Sequence, residues 1–308
     1  MGKETNIQWC DSSVNPTGFQ CDGCELWQPK AKVPVKKCYA GRWAERVGGI
    51  GAFDKPIELK PGRMAEAAKW KDLRGVERKD KPWIPAAMPR LVFIGDMADT
   101  FSTGVPFEYL KKEVVDVVRG WPHIGLWLTK RPNVMKQFSR WIFEQFGAEW
   151  PKNLWVGTSV TSPDKIHRID QLYEVGDDST KRFISFEPLL GETDFAELKR
   201  KLRNWQMAKL FDWAIIGGDS DPKPEAFDMI GAADLINILT EGGIEVFVKQ
   251  FGKLPVCGNA NVFDWHDEEM LAAYGEGFAS VRLMTRDPKG GDWSEWPKQF
   301  QRREFPKP

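Results

Sequence analysis

From about residue 90 onward, short apolar runs rich in β-branched and aromatic residues alternate with longer segments of helical spacing, and no other feature restricts the fold as much. Alternation of that kind is the signature of βα repeats and a parallel sheet. The runs are 91–95, 124–128, 154–158, 183–186, 213–216 and 244–248, each too short and too uniformly apolar for a half-exposed strand, so both faces are predicted buried. Between them lie helices over 107–118 and 134–146, a third that Ser162 and Pro163 cap ahead of Ile166, Ile169 and Leu172, and a fourth that Gly242 and Gly243 stop after Leu235, Ile236 and Leu239. An early strand over 7–14, closed by Pro16 and Gly18, brings the number to about seven. Residues 48–90 are polar and irregular apart from a helix near 63–73. The stretch after Leu254 is loop-rich, with Lys289-Gly290-Gly291-Asp292 and several aromatics. The organisation expected is an α/β body over 1–254 and an extension over 255–308 packed on it, a size that suits one large α/β barrel.

Composition narrows the function. Lys and Arg number 44 and so do Asp and Glu, so the chain has no net field of the kind that holds phosphate backbones non-specifically, and a histone-like binder is excluded. No apolar run approaches the roughly 18 residues of a membrane span. Residues 1–8 are polar, without a signal peptide's apolar stretch, and Asn6 stands where a myristoylation signal needs Ser or Thr; a cytoplasmic location is expected, with no membrane partner. Five cysteines, an odd number, argue for metal or catalytic use rather than a disulfide framework.

In parallel α/β proteins, ligands sit beyond the carboxyl ends of the strands. Here every such end carries polar groups: Asp96 and Asp99, then Thr129-Lys130-Arg131, Thr158-Ser159, Ser185 with Glu187, Gly217-Gly218-Asp219-Ser220, and Lys249-Gln250. Water and helix caps account for some of them singly, but the coincidence of all six predicts a shared lip around a site. Lys130, Arg131 and Lys249 are candidates for an anionic substrate.

Cys21-Asp22-Gly23-Cys24 places two thiols at the shortest spacing that lets both face one metal centre, and Cys38 follows before Tyr39. Zinc needs four N or S ligands, so it would recruit Cys10, Cys257 or one of His123, His167 and His266. Three thiolates would instead hold a [4Fe-4S] cluster with one iron left open. Spacing alone leaves both open, and a thioredoxin-like pair is the weakest option because no helix follows the CxxC. Cys10 and Cys257 read as small core hydrophobes. Lys30, Lys32, Lys36 and Lys37 could touch a polyanion, but the preferred reading is a solvated basic loop, and Gly48-Gly49-Ile50-Gly51, which follows no strand, reads as a turn and not a phosphate loop. Fifteen tryptophans read mainly as packing residues, and with three histidines no nucleophile triad is legible.

The run Trp9, Asn15-Pro16-Thr17-Gly18, Cys21, Cys24, Cys38-Tyr39-Ala40 and Glu45-Arg46 resembles the opening of a phage-associated three-cysteine-motif family grouped with radical-SAM proteins. The similarity continues through Phe93-Ile94-Gly95-Asp96-Met97-Ala98-Asp99, Leu128-Thr129-Lys130-Arg131-Pro132, Trp155-Val156-Gly157-Thr158-Ser159-Val160, Ser185-Phe186-Glu187-Pro188-Leu189-Leu190-Gly191, Ile216-Gly217-Gly218 and Val248-Lys249-Gln250-Phe251-Gly252. This resemblance implies a partial parallel (β/α) barrel of radical-SAM type, a [4Fe-4S] cluster on Cys21, Cys24 and Cys38, S-adenosylmethionine on the open iron, an external electron donor and, for a phage-encoded chain, the host cytoplasm. It decides the choice against zinc. The usual radical-SAM loop reads CxxxCxxC, whereas here the CxxC comes first and the third cysteine lies far behind it, so 25–37 must bulge outward.

With that cofactor, the lip residues take roles: Asp96 or Asp99 for the methionine ammonium, Ser159 and Glu187 for the ribose, and Gly217-Gly218 for close backbone approach. The phage association points to a nucleic-acid base or modified nucleotide as substrate, in thymine hypermodification, rearrangement or lesion chemistry of isomerase or lyase type, with the base flipped out of any duplex. The competing readings are the same chemistry on a small metabolite or peptide, and a non-enzymatic zinc-stabilised nucleic-acid-binding protein.

Overall fold

The computed structural model describes residues 2–190, 195–204, 210–258 and 281–308. Gly191 and His266, singled out above, lie outside them. The chain is a mixed α/β protein that divides into two compact units, Met1–Thr158 with Gln171–Arg182 and Pro308, and Ser159–Asp170 with Phe183–Lys307. Among the described residues no helix is long and apolar enough to cross a membrane.

The first unit begins with β1 (Ser12–Val14), a short hairpin of β2 (Trp27–Gln28) and β3 (Val35–Lys36), and the helices α1 (Tyr39–Gly48) and α2 (Arg63–Ala67). It continues with β4 (Leu91–Ile94), a helical stretch made of α3 (Phe107–Leu110), a π turn (Lys111–Val115) and α4 (Asp116–Arg119), then β5 (Ile124–Thr129), α5 (Pro132–Phe146) and β6 (Leu154–Ser159), after which comes α6 (His167–Tyr173). β1, β4, β5 and β6 pair in that order, all parallel. Every residue of β4 and β6 is buried, as uniform apolarity predicts for strands covered on both faces. A glycine in the middle of this layer has a packing reason: a Cβ on Gly125 would come within 3.0 Å of Ile94 Cδ1 and 3.1 Å of Leu154 Cδ1. α5 starts on Pro132, whose missing N–H is no loss in a first turn, and stops at Gly147, which takes a left-handed φ of 54° and donates to Phe143 O at 2.9 Å.

Two sequence expectations are shortened by side chains that capture the backbone. The strand expected over 7–14 is only β1, because Lys81 Nζ donates to the carbonyls of Thr5, Ile7 and Cys10 at 2.6, 2.7 and 2.5 Å. The helix expected over 63–73 ends at Ala67, and the Lys71 carbonyl accepts from Arg90 Nε at 2.8 Å. The irregular segment 48–90 thus satisfies its backbone with charged groups instead of a ladder. Buried Arg78 pairs with Asp11 at 2.8 Å and donates to the carbonyls of Met88 and Pro89 at 3.0 and 2.9 Å, while Glu113 accepts from the N–H groups of Gly62 and Met64 ahead of α2.

The second unit holds β7 (Arg182–Phe186), α7 (Ala196–Asn204), β8 (Trp213–Gly217), β9 (Phe227–Asp228), α8 (Met229–Glu241), β10 (Glu245–Gln250), β11 (Pro255–Cys257) and β12 (Val281–Arg282). β7, β8 and β10 pair in parallel in that order, and β11 is flanked by β9 in parallel and β12 in antiparallel. Asp228 caps α8, its carboxylate accepting from Ile230 N–H at 3.1 Å, and Gly242 with Gly243 ends it. The C-terminal residues pack on β10: Val248 N–H donates to Arg302 O at 2.8 Å, Glu304 N–H donates to Val246 O at 3.0 Å, and Trp296 stacks on Phe251 with ring centroids 4.7 Å apart.

Candidate functional site

A cysteine fourteen residues beyond a CxxC comes back to it only if the intervening chain doubles over, and the backbone bonding shows how it does. The Cys24 carbonyl accepts from Trp27 N–H at 2.9 Å, the β2–β3 hairpin reverses the chain, and the Leu26 carbonyl accepts from both Lys37 and Cys38 N–H at 2.9 Å. Two glycines make this turn possible. Gly23 has φ 83°, and a Cβ there would meet Trp27 O at 2.5 Å; on α1, a Cβ at Gly41 would meet the Trp27 ring at 2.5 Å. The buried indole thus lies directly against the helix backbone, and its N–H donates to Asp54 at 2.8 Å. Cys21 and Cys38 join Trp27, Phe53, Phe19 and Met97 in one hydrophobic cluster.

The thiols sense one another. Burial pushes the Cys24 thiol up to about 11, with Lys130 pulling it down and Glu25 and Cys38 adding to the rise. Burial also raises Cys38, opposed by the N–H groups of Gly41 and Ala40 at the start of α1 and by Lys130, while Cys21 adds to the rise. Cys21 Sγ lies 3.5 Å from Ser102 Oγ. Among the described residues no three His, Cys, Asp or Glu side chains are arranged as ligands of one metal ion.

Arg131, a candidate for an anionic substrate, ties the cysteine loop to the end of β5. One guanidinium nitrogen binds the Asp22 carboxylate and donates to the Gly23 carbonyl at 2.5 Å; another pairs with Asp99 at 2.9 Å. Asp99 is occupied on both oxygens, accepting from Thr129 Oγ1 at 2.8 and 3.0 Å and from Lys130 N–H at 2.9 Å. Burial would raise Asp22, but the Thr103 N–H and the Arg131 charge outweigh it and hold the carboxyl below its usual range. Asp96 takes a different environment: Asn15 Nδ2 donates to it at 2.6 Å, the Tyr39 hydroxyl donates to its carbonyl, and burial pushes its carboxyl up. The first unit therefore brings together Cys21, Cys24, Cys38, Asp99, Lys130 and Arg131. Asp22 and Tyr39 were read in the sequence only as parts of the cysteine motif, with no role of their own, and Ser102 was not singled out; an acid enclosed between two thiols, which needs a counter-charge, was the available signal for the first.

In the second unit Lys249 forms an ion pair with Glu187, and a Cβ on Gly217 would come 3.2 Å from the Glu187 side chain. The close approach expected at Gly218 is to the chain itself, since a Cβ there would fall 2.0 Å from Phe251 O. Ser159 is buried, and its carbonyl accepts from Arg168 at 2.8 Å. A cavity of about 480 Å³ opens in the first unit at the amino ends of β5 and β6, on the side away from Arg131, with Arg74, Arg119 and Lys152 in its wall and buried Trp121 and His123 at its base.

A family model described as "Protein of unknown function (DUF5131)" matches residues 4–283. No curated protein and no solved structure matches the chain.

Proposed function

We propose that this chain, which belongs to the DUF5131 family, holds a [4Fe-4S] cluster on Cys21, Cys24 and Cys38 and is a radical-SAM-type enzyme built on a partial (β/α) barrel, acting on a nucleic-acid base or modified nucleotide. The observation that carries the reading is the return of Cys38 to the CxxC through the paired bonds at Leu26 O, which brings its thiol within electrostatic reach of Cys24 and Cys21, with Lys130 and Arg131 nearby. The donor set fits the group by its chemistry: three thiolates suffice for a cluster with one open iron. Cys10, 0% exposed in the core, is not needed. When bound, such a cluster supplies the electron for reductive cleavage of S-adenosylmethionine and so gives access to hydrogen abstraction from an unactivated carbon.

The chain's own residues do the rest. Lys130 and the first N–H groups of α1 favour the thiolate forms of Cys24 and Cys38. Arg131 fixes the two residues between Cys21 and Cys24, and Trp27, Phe53 and Phe19 keep water from the loop. Asp99 is committed to Arg131, so Asp96, hydrogen-bonded by neutral Asn15, is the carboxylate for the methionine ammonium. In the second unit Glu187 and Lys249 are committed to each other; an external donor supplies the electron.

Protein purified and reconstituted without oxygen should be brown and hold about four iron and four sulfide per chain. Cys24→Ala and Cys38→Ala should each lose that content, and a Cys10→Ser variant should keep it. One zinc per chain with no sulfide would overturn the assignment.

A further inference from the structure

The carboxyl end of α1 carries a feature that cysteine chemistry leaves unused. α1 starts beside Cys38 and closes into Gly48-Gly49-Ile50-Gly51. Ile50 is 93% exposed, more than any other large hydrophobic side chain among the described residues, and Val47 is 61% exposed. Gly49 and Gly51 have φ of 83° and 78°, and nothing lies within 4 Å of where their Cβ atoms would stand, so the tip projects clear of the chain. It is nevertheless held. Gly49 N–H donates to Glu45 O at 2.9 Å and Ala52 N–H to Gly49 O at 3.1 Å. Gly51 N–H donates to the Glu45 carboxylate at 3.2 Å, and Lys36 Nζ grips that same carboxylate at 2.8 Å.

The stretch of sequence that holds the tip is also basic. Residues 30–60 hold eight Lys or Arg against three Asp or Glu in a chain that is neutral overall, and Lys30, Lys32, Arg46 and Lys55 are exposed. A membrane surface would require a continuous apolar helix face, whereas the other large exposed apolar side chains of this segment are Val33, between β2 and β3, and Tyr39, at the opposite end of α1. A protein interface would require a charge-depleted, aromatic core. A projecting apolar side chain in a basic stretch of sequence suits instead a stacked polyanion, where an aliphatic wedge parts one base step and cations hold the flanking phosphates.

We propose that the 48–51 tip is a wedge for double-stranded nucleic acid, with Ile50 entering between adjacent bases and Arg46 and Lys55 contacting phosphates. The ten residues of α1 span about 15 Å, so a base displaced at Ile50 lies one short helix from Cys38. The inference rests on the nucleic-acid substrate of the reading above and not on the cluster, so binding and metal content fail separately.

The test is titration of a fluorescent DNA duplex with the full-length apoprotein, in parallel with a duplex carrying 2-aminopurine. The wild type should bind, weaken steeply with salt, and raise the 2-aminopurine emission as bases unstack. Ile50→Ser should bind about tenfold more weakly and lose the emission change while keeping the salt slope; Ile50→Phe should restore both. Arg46→Ala with Lys55→Ala should lower the salt slope by about two. Absence of duplex binding by the wild type at low salt overturns the proposal, as does an Ile50→Ser variant that matches it in affinity and emission. Sedimentation with phosphatidylserine vesicles that depends on Ile50, in place of duplex binding, would assign the tip to a membrane surface and overturn it equally.

Discussion

A single guanidinium illustrates how much of a site is decided between residues far apart in the chain. Arg131 and Asp22 are 109 positions apart, yet their contact fixes the turn between two thiols. Each was legible as a polar residue at a strand end or in a cysteine loop; their pairing was not. A charge-assisted bond of this kind contributes roughly 1.5 to 3 kcal/mol, less here because Asp22 is about one-third exposed. Arg131→Ala should therefore speed alkylation of Cys21 and Cys24 in the folded apoprotein by about tenfold, read by mass spectrometry, with Arg131→Lys in between; equal rates in all three would remove Arg131 from its positioning role. Tyr109 offers a second residue-scale test. Its hydroxyl donates to Pro16 O and accepts from Lys60 N–H at 3.1 Å, and burial, with Glu113 adding, pushes it up to about 12 from 10.0. A raised folded value means that the native state keeps this proton when the unfolded chain has given it up, so its stabilisation is complete below 10 and is lost as pH rises towards 12. The stability difference between wild type and Tyr109→Phe should shrink over that window in urea titrations, and a constant difference would refute the account.

At the scale of elements, the long ones were readable and the short ones were not. Pro132 and Gly147 punctuate α5, and Asp228 with Gly242-Gly243 bounds α8, because caps act on the nearest turn and leave a mark in the sequence. β2 and β3, two residues each, carry no periodicity at all. α1 left a weak signal in Ala40 and Ala44, one turn apart and both buried, which the nearby cysteines and glycines obscured. Its fit against Trp27 is testable. Gly41→Ala would push a methyl into the indole, and the loss from overpacking should be about 1 to 3 kcal/mol in chemical denaturation. Removing the ring as well, in Trp27→Leu with Gly41→Ala, should recover part of that loss; additive losses would mean that the contact does not set the helix position.

The whole molecule sets the background field. With 44 residues of each charge and a sequence pI near 6.9, solubility should pass through a minimum close to neutral pH and recover on either side, measurable by precipitation against ammonium sulfate. Against that neutral background one buried histidine should dominate acid sensitivity. Burial lowers His123 below 6.5, Arg90 adding to the effect and Arg74 facing the same way, while Asp72 opposes them. A depressed folded value means that the unfolded chain takes the proton first, so stability should fall as pH drops below 6.5. The melting temperature of wild type should decline more steeply between pH 7 and 5 than that of His123→Gln. Parallel curves would place the acid-sensitive group elsewhere.

The sequence by itself determined that the chain is α/β, that β4 to β8 and β10 are short parallel strands, and that three cysteines share one loop, because burial periodicity and chain spacing are local properties that each segment carries with it. Only the tertiary structure decided which strand-end charges meet: Asp99 with Arg131, Glu187 with Lys249, Asp96 with Asn15. Those choices depend on strand register and on loop closure across 62 to 81 positions for the last two pairs, and a shift of one residue would have turned each side chain to the opposite face without altering the apolar pattern from which the strands were read.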